Sequence, residues 1–251
     1  MSNLFYPFII TTLAGISTIL GYFIIFIKKS IHNKIIAGSL SFAAGVMVCT
    51  SITDLIPESL SLLNKNYSFV VTIIFCFLGI LFGIVISMII DYYVPDTPKT
   101  DDNNTLFRLG LLSMMAIVLH NVPEGIATFM ASSKNINLGI SLTIAIAMHN
   151  IPEGITISVP IYYSTNSKKI AFLYTLISAL SEPLGALLAY FFLKDIINDF
   201  ILGIILSVIA GIMLEISFRV LLPSTKKYND KIGVIFFFIF GFVFMLFKFI
   251  F

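Results

Sequence analysis

The sequence predicts an all-α, polytopic membrane protein of eight transmembrane helices, built as inverted-topology repeats around a central helix pair. Three observations predict it. Of the 251 residues, 58% are hydrophobic and 11% charged, and mean hydropathy is +1.03, whereas soluble domains run at about 45–50% apolar and about 25% charged. The apolar residues fall into eight runs, near 4–27, 35–57, 69–91, 107–131, 138–162, 170–193, 199–221 and 232–250, each close to the ~20 residues a helix needs to cross a bilayer core. The connections are short, so residues 1–251 read as a single transmembrane domain.

Taken in order, the first run is longer than a signal-peptide core, with no basic residue before it and no small-residue cleavage site after it, so it is expected to persist as the first span. The second and third runs carry Cys49 and Cys76, which show no CxxC or paired loop spacing and read as packing residues. Between the third and fourth runs lies "YYVPDTPKTDDNNT", whose Pro, Asp and Asn content predicts a short cytoplasmic loop at 92–106. The fourth and fifth runs are interrupted by "LHNVPEGIATFMA" and "MHNIPEGITISVP", the sixth by Glu182, and the seventh by Glu215 and Arg219.

Charge sets the orientation. With the N-terminus outside, the inner loops and helix ends hold Lys28, Lys29, Lys34, Lys99, Arg108, Lys168, Lys169, Arg219, Lys226, Lys227 and Lys231, and the outer side holds Lys65, Lys134, Lys194 and Lys248. The excess of inner Lys and Arg predicts both termini outside. There is no Trp, and the Tyr92/Tyr93 and Tyr162/Tyr163 pairs fall where the third and fifth spans leave the membrane on the inner side. A net charge of +2 with only short basic clusters excludes nucleic acid as a partner. His32, in the basic first loop, reads as a solvated residue.

The polar residues inside the fourth and fifth runs carry the chemistry. His120, Asn121 and Glu124 are spaced to share one helical face, and His149, Asn150 and Glu153 repeat the arrangement. An ionisable side chain near mid-membrane costs about 2.5–3.5 kcal/mol on insertion scales and marks an ion pathway or binding site. Pro123 and Pro152 are expected to kink their helices and free the carbonyls of Leu119 and Met148. Gly125 and Gly154, beside the carboxylates, leave room for another helix or a hydrated ion. A divalent cation satisfies imidazole, amide oxygen and carboxylate together, and a donor set without thiolates lets the ion leave again. A single His/Glu pair would also fit an interhelical hydrogen bond or a proton relay; the doubling favours a cation. Glu182, near the middle of its span and followed by proline, completes the site.

An internal likeness points to the architecture. "AAGVMVCTSITDLIPE" on the second span resembles "IAGIMLEISFRVLLPS" on the seventh, matching at Ala44/Ala210, Gly45/Gly211, Met47/Met213, Ser51/Ser217, Leu55/Leu221 and Pro57/Pro223. Those spans run in opposite directions under the predicted topology. Spans one to three are then related to six to eight, with four and five between them and the site at the repeat interface.

"HNVPEG" and "HNIPEG" on consecutive spans, "SEPLGA" on the next and "FAAGVMV…DLIPES" on the second resemble the ZIP (Zrt-, Irt-like) family of zinc and iron permeases, most of all its short bacterial members. The resemblance covers essentially the whole chain. It implies two adjacent cation positions between the fourth and fifth helices, bridged by Glu124 and Glu153. His120 and His149 would serve one position, and Asn121, Asn150 and Glu182 the other. It also implies a second-helix ligand, for which Met47 is the candidate, although Met47 and Met213 suit packing better than ligation. Asp54, further along that face near the outer mouth, would attract cations or simply cap or hydrate a helix end. The sequence departs from the family pattern in having no His in the 92–106 loop and in placing Arg219 where bacterial relatives tend to have an acid.

The expected function is transport of divalent transition-metal cations, zinc foremost, into the cytoplasm across a bacterial inner membrane. No cofactor is expected: Zn²⁺, or Fe²⁺, Mn²⁺, Co²⁺ or Cd²⁺, is substrate, the lipid bilayer and the ions are the partners, and a homodimer is admissible. The alternative is an intramembrane metal-dependent hydrolase or a metal sensor using the same ligands. Against the hydrolase, HExxH is missing and Asn follows each His. Asp91 is expected to cap or hydrate its helix end, and Glu215 to be either an inner exit residue or the partner of Arg219 one turn on.

Overall fold

In hydrocarbon every backbone N–H and C=O must be satisfied within its own segment, so apolar runs of this length fold as helices. The computed structural model describes residues 5–26, 33–93, 102–193, 198–228 and 230–247, and among them the regular elements are all helical. Among the described residues seven helices are long and apolar enough to cross a membrane: α1 (Phe5–Phe26), α2 (Ile36–Asn64), α3 (Phe69–Tyr93), α4 (Asn104–Ser133), α5 (Leu142–Thr165), α6 (Lys168–Phe192) and α7 (Asp199–Tyr228). A shorter apolar helix, α8 (Lys231–Leu246), follows.

The boundaries depart from the sequence expectation in instructive ways. The second and seventh helices do not stop near Pro57 and Leu221 but continue to Asn64 and Tyr228. Each passes through a π-helical turn, Ser51–Leu55 and Ile216–Leu221, after which Pro57 and Pro223 fall in the first turn of the next α-helical stretch, where a missing N–H costs little. The helices also run on through Pro123, Pro152 and Pro160 without interruption. The expected loop at 92–106 is helical at both ends, since Tyr92 and Tyr93 belong to α3 and the helix containing α4 begins at Asp102. Residues 94–101 between them lie outside the described residues, as do Lys28, Lys29, His32, Lys99, Lys194 and Lys248.

Tight connections keep neighbouring helices antiparallel. Asn135 alone separates two helices, and its side chain accepts from the Asn137 N–H at 3.0 Å. At the α5–α6 turn Asn166 takes a left-handed φ of 50°, a conformation Asn tolerates better than most residues. Ser167, Asn198 and Asp230 then cap the starts of α6, α7 and α8 through their side-chain oxygens.

Packing divides the bundle into two sets of helices. One comprises α1, α4, α5 and α6; the other comprises α2, α3, α7 and α8; the seam between them is formed chiefly by α2 against α5 and α4 against α7. Lipid tails are as apolar as side chains, so helix association in a membrane relies on close van der Waals approach at small residues. Here glycines provide it, in matched pairs. A Cβ on Gly45 would run into the carbonyl of Phe238, and one on Gly241 into that of Phe42, at the α2–α8 crossing. At the α3–α7 crossing Gly211 meets the carbonyl of Ile80 and Gly83 that of Val208. Within the other set, Gly125 meets the carbonyl of Glu182 and Gly185 that of Val122, while Gly154 meets the carbonyl of Thr18 and Gly21 that of Ile151.

The outside of the bundle is apolar. Phe77, Phe82, Phe192, Phe236 and Ile232 are among many large side chains more than half exposed, far more apolar surface than a protein in water presents, and a bilayer covers it. Cys49 and Cys76 are buried and form no disulfide among the described residues.

Because each glycine notch opens onto backbone rather than onto a movable side chain, Gly45→Ala and Gly211→Ala should each destabilise the protein by about 1–3 kcal/mol, the ordinary cost of overpacking. Melting temperatures of the two detergent-solubilised variants should fall by similar amounts.

Candidate metal centre

The centre is built where α4 and α5 cross, with α6 and α1 against them. Helical spacing alone would pair each His with the Glu one turn on. The structure does otherwise: His120 Nε2 lies 2.9 Å from Glu153 Oε1, and His149 Nε2 lies 3.0 Å from Glu124 Oε1. Each imidazole is matched to the carboxylate of the neighbouring helix, so the two motifs interlock rather than standing side by side. Asn150 adds a third link, donating from Nδ2 to the Ala14 carbonyl at 2.9 Å and to the Glu182 carboxylate. The sequence-predicted residues His120, Asn121, Glu124, His149, Asn150, Glu153 and Glu182 are all buried.

These groups have more bonding capacity than the protein uses. Eight side-chain atoms in the centre are buried with no hydrogen-bond partner: His120 Nδ1, both amide atoms of Asn121, Glu124 Oε2, His149 Nδ1, Asn150 Oδ1, Glu153 Oε2 and Glu182 Oε2. A native interior leaves few such atoms, and each one costs free energy. Their chemistry, imidazole nitrogen with carboxylate and amide oxygen, is that of a ligand set for a divalent cation. Among the described residues no group of three or more His, Cys, Asp or Glu is already set as a metal cage. In this arrangement the imidazoles and carboxylates are turned toward each other in crossed pairs.

The remaining candidates fall elsewhere. Met47 is buried in the main apolar cluster with Ala116, Ile117, Ile157 and Met213, which matches its packing reading. Asp54 is half-buried in the π-helical turn of α2.

A second polar assembly joins α3, α4 and α7, and only part of it was visible in the sequence. Glu215 is buried, accepts from Arg219 at 3.2 Å and from the Ser87 hydroxyl, and Asp91 pairs with Arg108 at 2.9 Å and with Arg219 at 3.8 Å. Glu215 is thus the partner of Arg219, as one of the two sequence readings had it. Asp91 does more than cap its helix. Arg108 precedes His120 by twelve residues, about 18 Å along α4 at 1.5 Å per residue. The part played by Ser87 had no signal in the sequence, because a lone serine in an apolar run is unremarkable.

The fold and the centre together define a polytopic membrane protein with a buried cation-type donor set. Comparison with known proteins narrows the class. Residues 98–248 match the sequence profile of the family described as ZIP Zinc transporter. The chain is 38% identical over 260 residues to the zinc transporter ZupT of Clostridium perfringens, with 92% of this chain and 90% of the relative covered. It is 40% identical over 240 residues to the ZupT protein of Streptococcus mutans, covering 90% of each, and 40% identical over 245 residues to that of Oceanobacillus iheyensis, covering 92% and 91%. The chain belongs to the ZIP family.

The cross-pairing makes a stability prediction. His120→Leu leaves the Glu153 carboxylate buried without its partner and should cost about 3–5 kcal/mol, whereas the double change His120→Leu/Glu153→Leu should recover a large part of that loss. Melting temperatures of the single and double variants in detergent measure it.

Proposed function

We propose that the protein transports divalent transition-metal cations, zinc foremost, into the cytoplasm through the centre formed by α4, α5 and α6. The observation that carries this is that seven of these eight buried atoms of the centre, all but the donor Asn121 Nδ2, are lone-pair atoms without a partner among the described residues, which a cation would satisfy. Family membership and the zinc transporters to which the chain is similar support the substrate. The metal is cargo, not cofactor, and the protein is not an enzyme.

In this reading the cation sheds water onto His120, Glu124, His149 and Glu153 as the crossed pairs open, with Asn121, Asn150 and Glu182 forming an adjacent second position and Glu124 and Glu153 bridging the two. Asp54 draws cations toward the outer mouth, and Met47 is the candidate second-helix ligand. The centre is buried, with His120, Asn121, Asn150, Glu153 and Glu182 all 0% exposed, which favours movement of helix groups over an open pore. Release is assisted by protonation, because these ligands bind metal in their deprotonated form.

The architecture that fits is eight spans with spans one to three inverted onto six to eight. The glycine contacts support it: a shift of 166 residues carries Gly45 and Phe42 onto Gly211 and Val208, and one of 158 carries Gly83 and Ile80 onto Gly241 and Phe238. The π-helical turns of α2 and α7 correspond under the same shift, as do the hydroxyl contacts Ser51 to Met47 and Ser217 to Met213. Both termini lie outside, with the Lys168/Lys169 and Lys226/Lys227 turns on the cytoplasmic face of a cell membrane.

Reconstituted into proteoliposomes loaded with a Zn²⁺-sensitive dye, the protein should show saturable influx that Fe²⁺, Mn²⁺ and Cd²⁺ compete for. Glu124→Ala and Glu153→Ala should abolish it while still reaching the membrane; full uptake by both would sink the assignment. The topology has its own check. In intact cells Tyr67→Cys should react with an impermeant maleimide, and Lys227→Cys should react only after the membrane is opened.

A further inference from the structure

Three correspondences relate α1 to α6. Gly125 of α4 lies against the Glu182 carbonyl, and Gly154 of α5 lies against the Thr18 carbonyl. Gly185 of α6 meets the Val122 carbonyl, and Gly21 of α1 meets that of Ile151. Ser181 Oγ donates to the Ser178 carbonyl at 2.5 Å, and Ser17 Oγ donates to that of Ala14 at the same distance. All three align α1 with α6 at a constant offset of 164 residues, and the two glycine contacts align α5 with α4 at an offset of 29. Thr18 therefore stands where Glu182 stands, Ser178 where Ala14 stands, and Asn121 where Asn150 stands.

On one side this constellation is linked: Asn150 Nδ2 reaches both Ala14 and Glu182, leaving only Asn150 Oδ1 and Glu182 Oε2 without partners. On the other side no such link joins the corresponding side chains. Thr18 Oγ1, Ser178 Oγ and both amide atoms of Asn121 are buried without a partner, and Thr18, Ser178 and Asn121 are each 0% exposed. Four polar atoms sealed in an apolar bundle with nothing to bond are a site for something that both donates and accepts.

We propose that the Thr18 and Ser178 hydroxyls, with the Asn121 amide N–H whose oxygen faces the cation, form a neutral niche that holds a water of the transported cation's hydration shell, with Thr18 as the positioning residue. This rests on the reading of the centre as the cation site. Hydroxyls and an amide carry no charge to balance a divalent ion directly, but they present the mixture of donors and acceptors that a water with two to four partners requires. The centre is then two-sided. Toward α6 the ion meets the Glu182 carboxylate, and toward α1 it keeps water. An ion that need not be stripped completely sheds less hydration energy on entering and leaves more readily.

The test uses zinc influx into dye-loaded proteoliposomes with wild type, Glu124→Ala, Thr18→Val, Thr18→Ser and Ser178→Ala. Thr18→Val keeps the branched shape, leaves the backbone contact of Thr18 with Gly154 in place, and removes the hydroxyl. It should raise KM for Zn²⁺ by roughly five- to tenfold, the weight of about one buried hydrogen bond, with kcat within about twofold. Thr18→Ser should restore KM to near wild type, and Ser178→Ala should shift KM in the same direction as Thr18→Val. An unchanged KM in Thr18→Val, or equal impairment of Thr18→Ser and Thr18→Val, would overturn the niche. Should Thr18→Val fail to fold, an unchanged KM in Ser178→Ala overturns it instead. Influx that survives Glu124→Ala would overturn the reading of the centre itself, whatever Thr18 does.

Discussion

The structure depends on how two imidazoles, three carboxylates and two carboxamides are kept among apolar helices. An isolated charge there is unaffordable, so each carboxylate must have a donor, and the crossed pairing of His120 with Glu153 and of His149 with Glu124 supplies two of the three. Asn150 supplies the third by bonding Glu182. The arrangement requires α4 and α5 to lie close and in fixed register, and α6 to press its Glu182 backbone against Gly125. Substituting any of these glycines pushes apart the helices whose side chains must touch.

The same logic of close approach organises the outer set of helices, where α2 with α8 and α3 with α7 meet through glycine against carbonyl. The likeness between the sets of contacts stops at chemistry. Where α6 carries Glu182, α1 carries Thr18, and where α2 carries Cys49, α7 carries Glu215, which is held by Ser87 and Arg219. The glycine–carbonyl contacts thus recur while the polar side chains do not. The scaffold is set by residues that lack side chains, and the charges are added to one half of each pair.

Much of this was legible in the sequence, for physical reasons. Apolar runs announce membrane helices because backbone groups have no other way to be satisfied, and seven of the expected spans stand as long apolar helices. His120, Glu124, His149, Glu153 and Glu182 announce themselves because a charge in hydrocarbon is too costly to be incidental. Helix ends were harder: Pro57 and Pro223 look like stops, yet a π-helical turn before each lets the chain carry on. The identity of each partner was hidden as well, because a spacing of four within one helix suggests an internal pair and only packing shows the exchange between helices. Thr18, Ser178 and Ser87 gave no signal at all. Hydroxyls are cheap in membrane helices, often bonding the carbonyl a turn back as Thr11, Ser41 and Thr175 do, so one that is idle cannot be told from one in use.

The interlocked pairs have a mechanical consequence. Two hydrogen-bonded rivets, staggered along the crossing of α4 and α5, resist sliding: a shift of one helix by a single turn, about 5.4 Å, would part both at once. The two helices are therefore coupled as one stiff strut. Any large displacement is diverted to the thinner seam where α5 meets α2 and α4 meets α7, and within the strut only side-chain rotation remains as a degree of freedom.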